Sequence, residues 1–325
     1  MTLLAQKTAD LILAGDVRAA ARLMRAVDDD LPGAVEVLKR LFPHTGRAWV
    51  LGFTGSPGVG KSTLTDAVIG AYRAQHQSVG VVAVDPTSPF TGGAILGDRI
   101  RMQRHATDEG VFIRSLATRG QFGGLTASTR GVVTIMDAMG KDLVLVETVG
   151  VGQDEVDIVR MADTTVIVVV PGLGDDIQAI KAGILEAGDI FVVNKMDREG
   201  AGRTAAELQA MIAMRGRKEG APETWTPPVL MTCASDGRGV DELIQAVAAH
   251  RAVLQAEGGR LLKERRRARA RMEILELVKN RAMTILLRRL ENGQSLDLLA
   301  GQVACLERDP YSVVEEIMAH AALHD

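Results

Sequence analysis

The amino-acid sequence predicts an α/β fold: a mostly parallel central sheet flanked by helices, with further helical extensions at its N- and C-termini. Two observations carry that expectation. Between residues 46 and 255, short runs of aliphatic and β-branched residues recur, with helical segments between several of them. The runs are continuously apolar rather than alternating, as strands buried on both faces require. A third observation, a glycine-rich loop directly after the first run, indicates which edge of the sheet carries function. Parallel sheets bind ligands at the carboxyl ends of their strands.

Composition narrows the class. The 325 residues are 46% hydrophobic and 24% charged, which suits a folded globular chain with a large core. A net charge of −3 supplies no general field for nucleic acid or membrane, and aromatics at 3% argue against a base-stacking platform. Cys233 and Cys305 lie far apart, with no CxxC and no neighbouring histidines. Ordinary buried thiols in a reducing compartment are expected, rather than a disulfide framework or a zinc site. The longest aliphatic stretches, such as 166–170, fall well short of the roughly 20 residues a spanning helix needs. The N-terminal 30 residues mix Lys7, Arg18, Arg22 and Arg25 with five aspartates, unlike a secretory signal or transit peptide. A cytoplasmic location is the expectation.

Three regions follow in order. Residues 1–45 read as a helical extension packed on the main domain. Leu11, Ala14 and Val17 recur at helical spacing, Asp16 can cap a new turn, and Pro32 suits the first turn of another helix. Residues 46–255 form the sheet domain, with strands expected at 48–54, 79–85, 111–116, 142–148, 164–170, 190–195 and 228–233. Residues 256–325 change character. No Pro or Gly interrupts 260–290, and Ile274, Leu277, Val278, Ala282, Ile285 and Leu286 share one helical face. Such a helix would run about 45 Å. Gly293 and Ser295 mark a stop and a restart, and Asp309-Pro310 another. A C-terminal helical arm burying its stripe against a second copy, as a homodimer, is expected. The basic residues that open it, Arg260, Lys263, Arg265, Arg266, Arg267, Arg269 and Arg271, read as a solvated helix face.

The strongest chemical signal is GSPGVGKST at 55–63, which fits G-x-x-x-x-G-K-[ST] between an expected strand and an expected helix. Gly55, Gly58 and Gly60 let the backbone of Gly55, Ser56, Pro57, Gly58, Val59 and Gly60 curl so that its N–H groups face phosphate oxygens. The helix opening near Lys61, Ser62 and Thr63 adds partial positive charge. Lys61 can reach the β- and γ-phosphates, and the Ser62 hydroxyl can take one Mg²⁺ position. The domain is therefore a P-loop NTPase.

A second motif, NKMD at 194–197, ends the strand IFVVN. The Asp197 carboxylate can accept from both N1–H and the N2 amine of guanine, a donor pair adenine lacks. Asn194 can brace the loop, and the stem of Lys195 can lie over the purine. Backbone N–H groups of Cys233, Ala234 and Ser235, after the next strand, can meet the guanine carbonyl. The substrate expected is GTP, with GDP as product. A third motif, DLVLVETVGVGQDEVD at 142–157, delivers Glu147 and then Gly150 to the ligand edge. The Gly150 N–H can sense a γ-phosphate. Val151 follows that glycine and Gln153 comes later, so no residue is obviously placed to orient the attacking water. Hydrolysis that is slow alone and accelerated by a partner is expected. In VDPTSPFTGGAILGDRIRM, 84–102, Asp85 and Asp98 are candidates for Mg²⁺ or water-mediated contact, beside a loop around Thr91, Gly92 and Gly93. In PGLGDDIQAIKAGILE, 171–186, Asp175, Asp176, Gln178 and Lys181 are polar groups near the nucleotide edge, with Lys181 or Asp175 candidates for partner-stimulated hydrolysis.

Together, GSPGVGKST, VDPTSPFTGGAILGDRIRM, ETVGVGQDEVD and NKMD resemble the MeaB/ArgK family, in the SIMIBI branch of P-loop GTPases, over nearly the whole chain. Glu-x-x-Gly, with Glu147 where Ras-like proteins carry Asp, matches that branch. The resemblance implies a homodimeric GTPase that serves as chaperone to an adenosylcobalamin-dependent acyl-CoA mutase, chiefly methylmalonyl-CoA mutase. It implies gating of cofactor loading and protection or rescue of the mutase, with Mg²⁺ as the metal. From the motifs and loops together, the catalytic candidates are Lys61, Asp98, Glu147 and Lys181, and the metal candidates Ser62, Asp85, Asp98 and Glu147. Two rival readings share the fold. A metallochaperone GTPase needs Cys or His clusters, whereas the six histidines here are dispersed apart from His320 and His324. A small-molecule kinase has no need of a guanine-reading Asp197.

Overall fold

The apolar runs become strands, and every strand pair is parallel. They are β1 (Trp49–Thr54), β2 (Val79–Pro86), β3 (Val111–Thr118), β4 (Leu143–Glu147), β5 (Thr164–Val169), β6 (Ile190–Asn194) and β7 (Val229–Thr232). Among the described residues they form one seven-stranded sheet in the order β3-β2-β4-β1-β5-β6-β7. The computed structural model describes residues 2–86, 102–105, 107–118, 124–148, 161–172, 188–214, 225–292 and 296–322. The order reverses at β1, which lies between β4 and β5. Its carboxyl end is thus a topological switch point, where doubly wound sheets open a crevice.

Alternate residues of each strand face opposite helical layers. Leu51, Phe53, Val81, Leu145, Val166, Val168 and Val192 pack with Leu64, Val68 and Ile69 of α4 (Lys61–Ala74). Leu243, Ile244 and Val247 from the start of α7 (Val240–Asn292) join them. The opposite faces of β1, β2 and β4 give Val50, Val82, Val84, Val144 and Val146 to a second cluster. There they meet Val132, Ile135 and Met136 of α5 (Gly124–Ala138). The N-terminal helices α1 (Thr2–Leu13), α2 (Val17–Asp28) and α3 (Ala34–Leu41) join the same cluster. Ile167, Val169, Phe191 and Val193 complete the core against α6 (Ala201–Met214). Each fully buried aliphatic side chain contributes about 1.5–3 kcal/mol.

The N-terminal extension is helical, but its buried stripe differs from the expected one. Asp16 caps α2, accepting from Ala19 N at 2.8 Å. Gly15, with φ +87°, breaks the helix before it, so Leu11, Ala14 and Val17 do not share one helix. Leu11 and Val17 are exposed, while Ala5, Ala9, Ile12, Leu23 and Met24 are buried. Pro32 lies in the turn ahead of α3, whose cap is Gly33.

Buried carboxylates organise the amino ends of the strands. Asp137 accepts from Arg47 N at 3.1 Å and Ala48 N at 2.9 Å, which sets the entry to β1. Asp163 accepts from Val50 N at 3.0 Å, and Asp189 from Thr165 N at 3.0 Å. The basic run is therefore not wholly a solvated face. Arg265 Nη2 lies 2.8 Å from Asp189 Oδ1, its Nη1 donates to the Asp163 carbonyl at 3.1 Å, and Arg266 Nη1 donates to the Gly46 carbonyl at 3.0 Å. Arg260 behaves as expected, pairing with its sequence neighbours Glu257 and Glu264.

Within α7 the backbone leaves helical geometry at Ala256, Glu257, Gly258 and Gly259. The chain divides into two compact units, Met1–Arg267 and Ala268–Asp325. The second holds the end of α7, then α8 (Leu296–Ala304) and α9 (Pro310–Ala322). Asp309 caps α9 by accepting from Tyr311 N and Ser312 N, with Pro310 in the first turn as its fixed φ favours. Leu299 and Val313 are buried, while Ile274, Leu277, Val278 and Ile285 are exposed on one helical face. No helix among the described residues is long and apolar enough to cross a membrane.

Candidate nucleotide site

The loop after β1 is held in a shape that needs glycine. Gly55 has φ +143°, and a Cβ there would collide with the Val168 carbonyl of β5. Gly60 has φ +91° and caps α4, so the helix N-terminus opens directly onto the loop. Lys61 is 5% exposed, and its ammonium donates to the carbonyls of Gly55 at 2.7 Å and Ser56 at 3.0 Å. The loop thus wraps its own lysine, and a phosphate arriving at the loop's N–H groups meets that charge already in place.

The guanine motif is bonded directly to this loop. Asn194, at the end of β6 and 2% exposed, donates from Nδ2 to the Val59 carbonyl at 2.9 Å. Its Oδ1 accepts from Thr232 Oγ1 and from Ala234 N, each at 3.1 Å. Three segments thereby meet on one side chain. Lys195, in the left-handed region at φ +58°, donates from Nζ to the Gly58 carbonyl at 2.8 Å. A Cβ on Gly60 would stand 2.6 Å from Asn194 Nδ2, so the glycine also makes room for the brace. Asp197 is exposed, with Cys233 Sγ 3.3 Å from its Oδ1. Of the three N–H groups expected to meet a base carbonyl, that of Cys233 donates to the Arg238 carbonyl at 2.9 Å and that of Ala234 to Asn194. Ser235 N–H is the one that makes no bond among the described residues. In the same loop, the Arg238 guanidinium and backbone N–H hold the Asp236 carboxyl down to about 2.

The third cluster joins β4 to α4. Ser62 Oγ donates to Glu147 Oε1 at 2.6 Å; the residues are 6% and 1% exposed. Glu147 faces Phe53 of β1 and Ala83 of β2 in register, so it stands at the carboxyl edge beside the phosphate loop. A hydroxyl and a carboxylate side by side are the hard oxygen donors a magnesium ion takes. These residues fit the ion.

The family described as "Methylmalonyl Co-A mutase-associated GTPase MeaB" matches residues 20–291. The chain belongs to this family. Among its relatives, a GTPase-described protein of Pyrococcus abyssi is 48% identical over 94% of this chain and 93% of its own length. The GTPase ArgK of Escherichia coli is 38% identical over 69% of this chain and 68% of its own. The mouse protein named methylmalonic aciduria type A homolog, mitochondrial, is 36% identical over 59% of this chain and 46% of its own. A crystal structure of an LAO/AO transport system kinase superposes with a TM-score of 0.73 at 24% identity, covering 98% of this chain and 97% of that one. That likeness supports the P-loop fold.

For a MeaB-family GTPase, guanine-nucleotide binding follows from the family. Of the residues singled out in the sequence, the fold brings together Gly55 to Thr63, Glu147, Asn194, Lys195, Asp197 and the Cys233–Ser235 turn. Asp85 sits near the end of β2. Asp98, Gly150 and Lys181 lie outside the described residues, as do Thr91 to Gly93, Val151, Gln153, Asp175, Asp176 and Gln178. No group of three or more His, Cys, Asp or Glu fit for a metal occurs among the described residues. Cys233 is buried as expected, but Cys305 is exposed. Two features escaped the sequence reading. Thr232 braces Asn194 from the neighbouring strand, and its position just ahead of the Cys-Ala-Ser turn was the available signal. The other is a cluster around Asp66 of α4, which pairs with Arg104 at 2.6 Å while His105 Nε2 lies 3.2 Å from the Asp66 carbonyl. No spacing rule links those residues.

Proposed function

We propose that this chain hydrolyses GTP to GDP and phosphate as the switch of a chaperone for an adenosylcobalamin-dependent acyl-CoA mutase, methylmalonyl-CoA mutase being the first candidate. The observation that carries the nucleotide half is the Asn194 bridge. One side chain ties the phosphate loop, the N-K-x-D strand and the Cys-Ala-Ser turn together, so a triphosphate at one end and guanine at the other load the same brace. The mutase half rests on the family description and on the mouse relative's name.

In this reading the loop N–H groups and Lys61 take the phosphates and stabilise charge developing between β and γ. Asp197 accepts from N1–H and the N2 amine, Lys195 lies along the purine, and Ser235 N–H donates to the base carbonyl. Ser62 and Glu147 would hold Mg²⁺, with Asp85 and Asp98 as further candidates; when bound, the ion neutralises phosphate charge. Gly150 senses the γ-phosphate, Lys181 or Asp175 supports the partner-stimulated step, and Asp98 acts through Mg²⁺ or a water. Val151 directly after Gly150, with Gln153 only later in the sequence, supports slow hydrolysis alone and acceleration by the mutase. We assign residues 1–45 to a helical extension, 46–255 to the GTPase domain and 256–325 to a homodimerisation arm, in a cytoplasmic protein. The exposed face of Ile274, Leu277, Val278 and Ile285 supports the arm's role.

The deciding experiment measures phosphate release from GTP and ATP, with and without a cobalamin-dependent mutase. GTP turnover that rises on adding the mutase, with ATP inert, is the expected result. Unchanged turnover with every candidate mutase removes the partner, and equal use of ATP removes the guanine reading.

A further inference from the structure

Helix α4 opens at the phosphate loop and turns one face into the core. On that face Leu64, Val68 and Ile69 pack among apolar side chains, while Lys61 and Ser62 bond the loop carbonyls and Glu147. Thr65 does neither. It is 0% exposed, and its Oγ1 is buried without a hydrogen-bond partner among the described residues. Even the Lys61 carbonyl one turn back, the usual outlet for a threonine inside a helix, does not accept from it. A hydroxyl shut away from water with no partner costs free energy that a valine of the same shape avoids. Neither packing nor helix formation accounts for this hydroxyl, so its role lies elsewhere.

Thr65 follows Ser62 by three residues, so their side chains are neighbours on the helix, with Cβ atoms about 5–6 Å apart. Ser62 Oγ donates to Glu147 Oε1 at 2.6 Å, and Glu147 is 1% exposed. Glu147 shares its face of β4 with Leu145, which clusters with Leu64 and Val68 of α4. The carboxylate and Thr65 are therefore buried on the same side of the sheet. We propose that Thr65 is a positioning residue for the metal: its hydroxyl is a second donor for the Glu147 carboxylate, engaged when Ser62 and Glu147 hold Mg²⁺. Carboxylates that serve a metal are themselves aimed by hydrogen bonds. Threonine in a helix divides between two χ1 rotamers, so one rotation can carry the hydroxyl from an unpaired position to a paired one. The proposal rests on the reading of Ser62 and Glu147 as the magnesium pair.

The test reads the gain in nucleotide affinity that Mg²⁺ confers. Calorimetry on the full chain uses the non-hydrolysable β,γ-imido analogue of GTP, with Mg²⁺ or with a chelator, in wild type, Thr65→Val and Thr65→Ser. Valine keeps the shape and deletes the hydroxyl, whereas serine keeps the hydroxyl. Thr65→Val is expected to lose about 10-fold of the magnesium gain, while its denaturant midpoint in chelator is no lower than that of wild type. Thr65→Ser is expected to keep the gain within about twofold of wild type. Should Thr65→Val fail to fold, Thr65→Ala against Thr65→Ser asks the same of a pair that differs by one hydroxyl. A gain unchanged in Thr65→Val, or lost equally in Thr65→Ser, overturns the proposal and leaves the metal pair intact. A lower midpoint for Thr65→Val in chelator also overturns it, because the hydroxyl would then serve a bond made without the ion. A wild type that gains nothing from Mg²⁺ instead overturns the metal reading on which the proposal rests.

Discussion

The two ends of this sheet are built by different physics. At the carboxyl ends, the segments of the site are tied to one another chiefly by the neutral hydrogen bonds of one amide, Asn194 to Val59, Thr232 and Ala234. At the amino ends, buried carboxylates accept backbone N–H groups, and two of them also face an arginine: Asp137, Asp163 with Arg266, and Asp189 with Arg265. The first arrangement leaves the loops able to exchange partners when a nucleotide arrives, since each bond is worth only about 1 kcal/mol net. The second fixes strand register, because breaking it strands a charge away from water. Binding and anchoring are thus separated by the length of a strand: β6 begins directly after Asp189 and ends at Asn194.

The strongest way to break that separation is at the amino end. Asp189 is 3% exposed and holds the Arg265 guanidinium at 2.8 Å. Asp189→Ala should destabilise the protein by about 3–5 kcal/mol, because a partly buried arginine loses its carboxylate and Thr165 N its acceptor. Chemical denaturation measures this directly. The double variant Asp189→Leu/Arg265→Met should recover much of the loss. Nucleotide affinity of the folded fraction should stay within about twofold of wild type. A large fall in affinity would show that the two ends are not separate.

At the carboxyl end the corresponding probe is Gly60→Ala. The residue adopts φ +91°, and its Cβ would stand 2.6 Å from Asn194 Nδ2. Strain of about 1–3 kcal/mol at such a position should weaken GDP binding roughly 10- to 100-fold. Global stability should change less than in Asp189→Ala. Calorimetry and thermal unfolding on the same sample separate the two effects. Tight binding by Gly60→Ala would mean that the phosphate loop tolerates displacement of Asn194.

The contrast also explains what the sequence made visible. Strands buried on both faces announce themselves as continuous apolar runs, and all seven expected segments became strands within a residue or two of their expected ends. The phosphate loop and N-K-M-D were legible because phosphate and guanine impose fixed donors at fixed spacing on a short stretch of chain. The amino-end cluster imposes no local spacing. Asp189 and Arg265 are 76 positions apart, and Arg265 lies in a basic run that reads as solvent-facing. The N-terminal helices misled for a local reason: Leu11 and Val17 fit one helical period, but Gly15 restarts the chain between them. Thr232 was hidden differently, since its role depends on a neighbouring strand's register that residue type does not encode.

A milder probe reaches both ends through one helix. Helix α4 begins at the phosphate loop and carries Tyr72 in its last turn, 6% exposed. Burial pushes the Tyr72 hydroxyl up to about 12, against a smaller opposing pull from Arg251. The folded state therefore keeps a proton that the unfolded chain releases near 10. Stability from this group is fully present below pH 10 and declines as pH rises from about 10 toward 12. Denaturant midpoints across that window should fall less steeply in Tyr72→Phe than in wild type. The variant should bind GDP like wild type at neutral pH, because the hydroxyl lies at the far end of the helix from the loop. Parallel midpoint curves for the two proteins would mean that Tyr72 does not contribute to the alkaline loss.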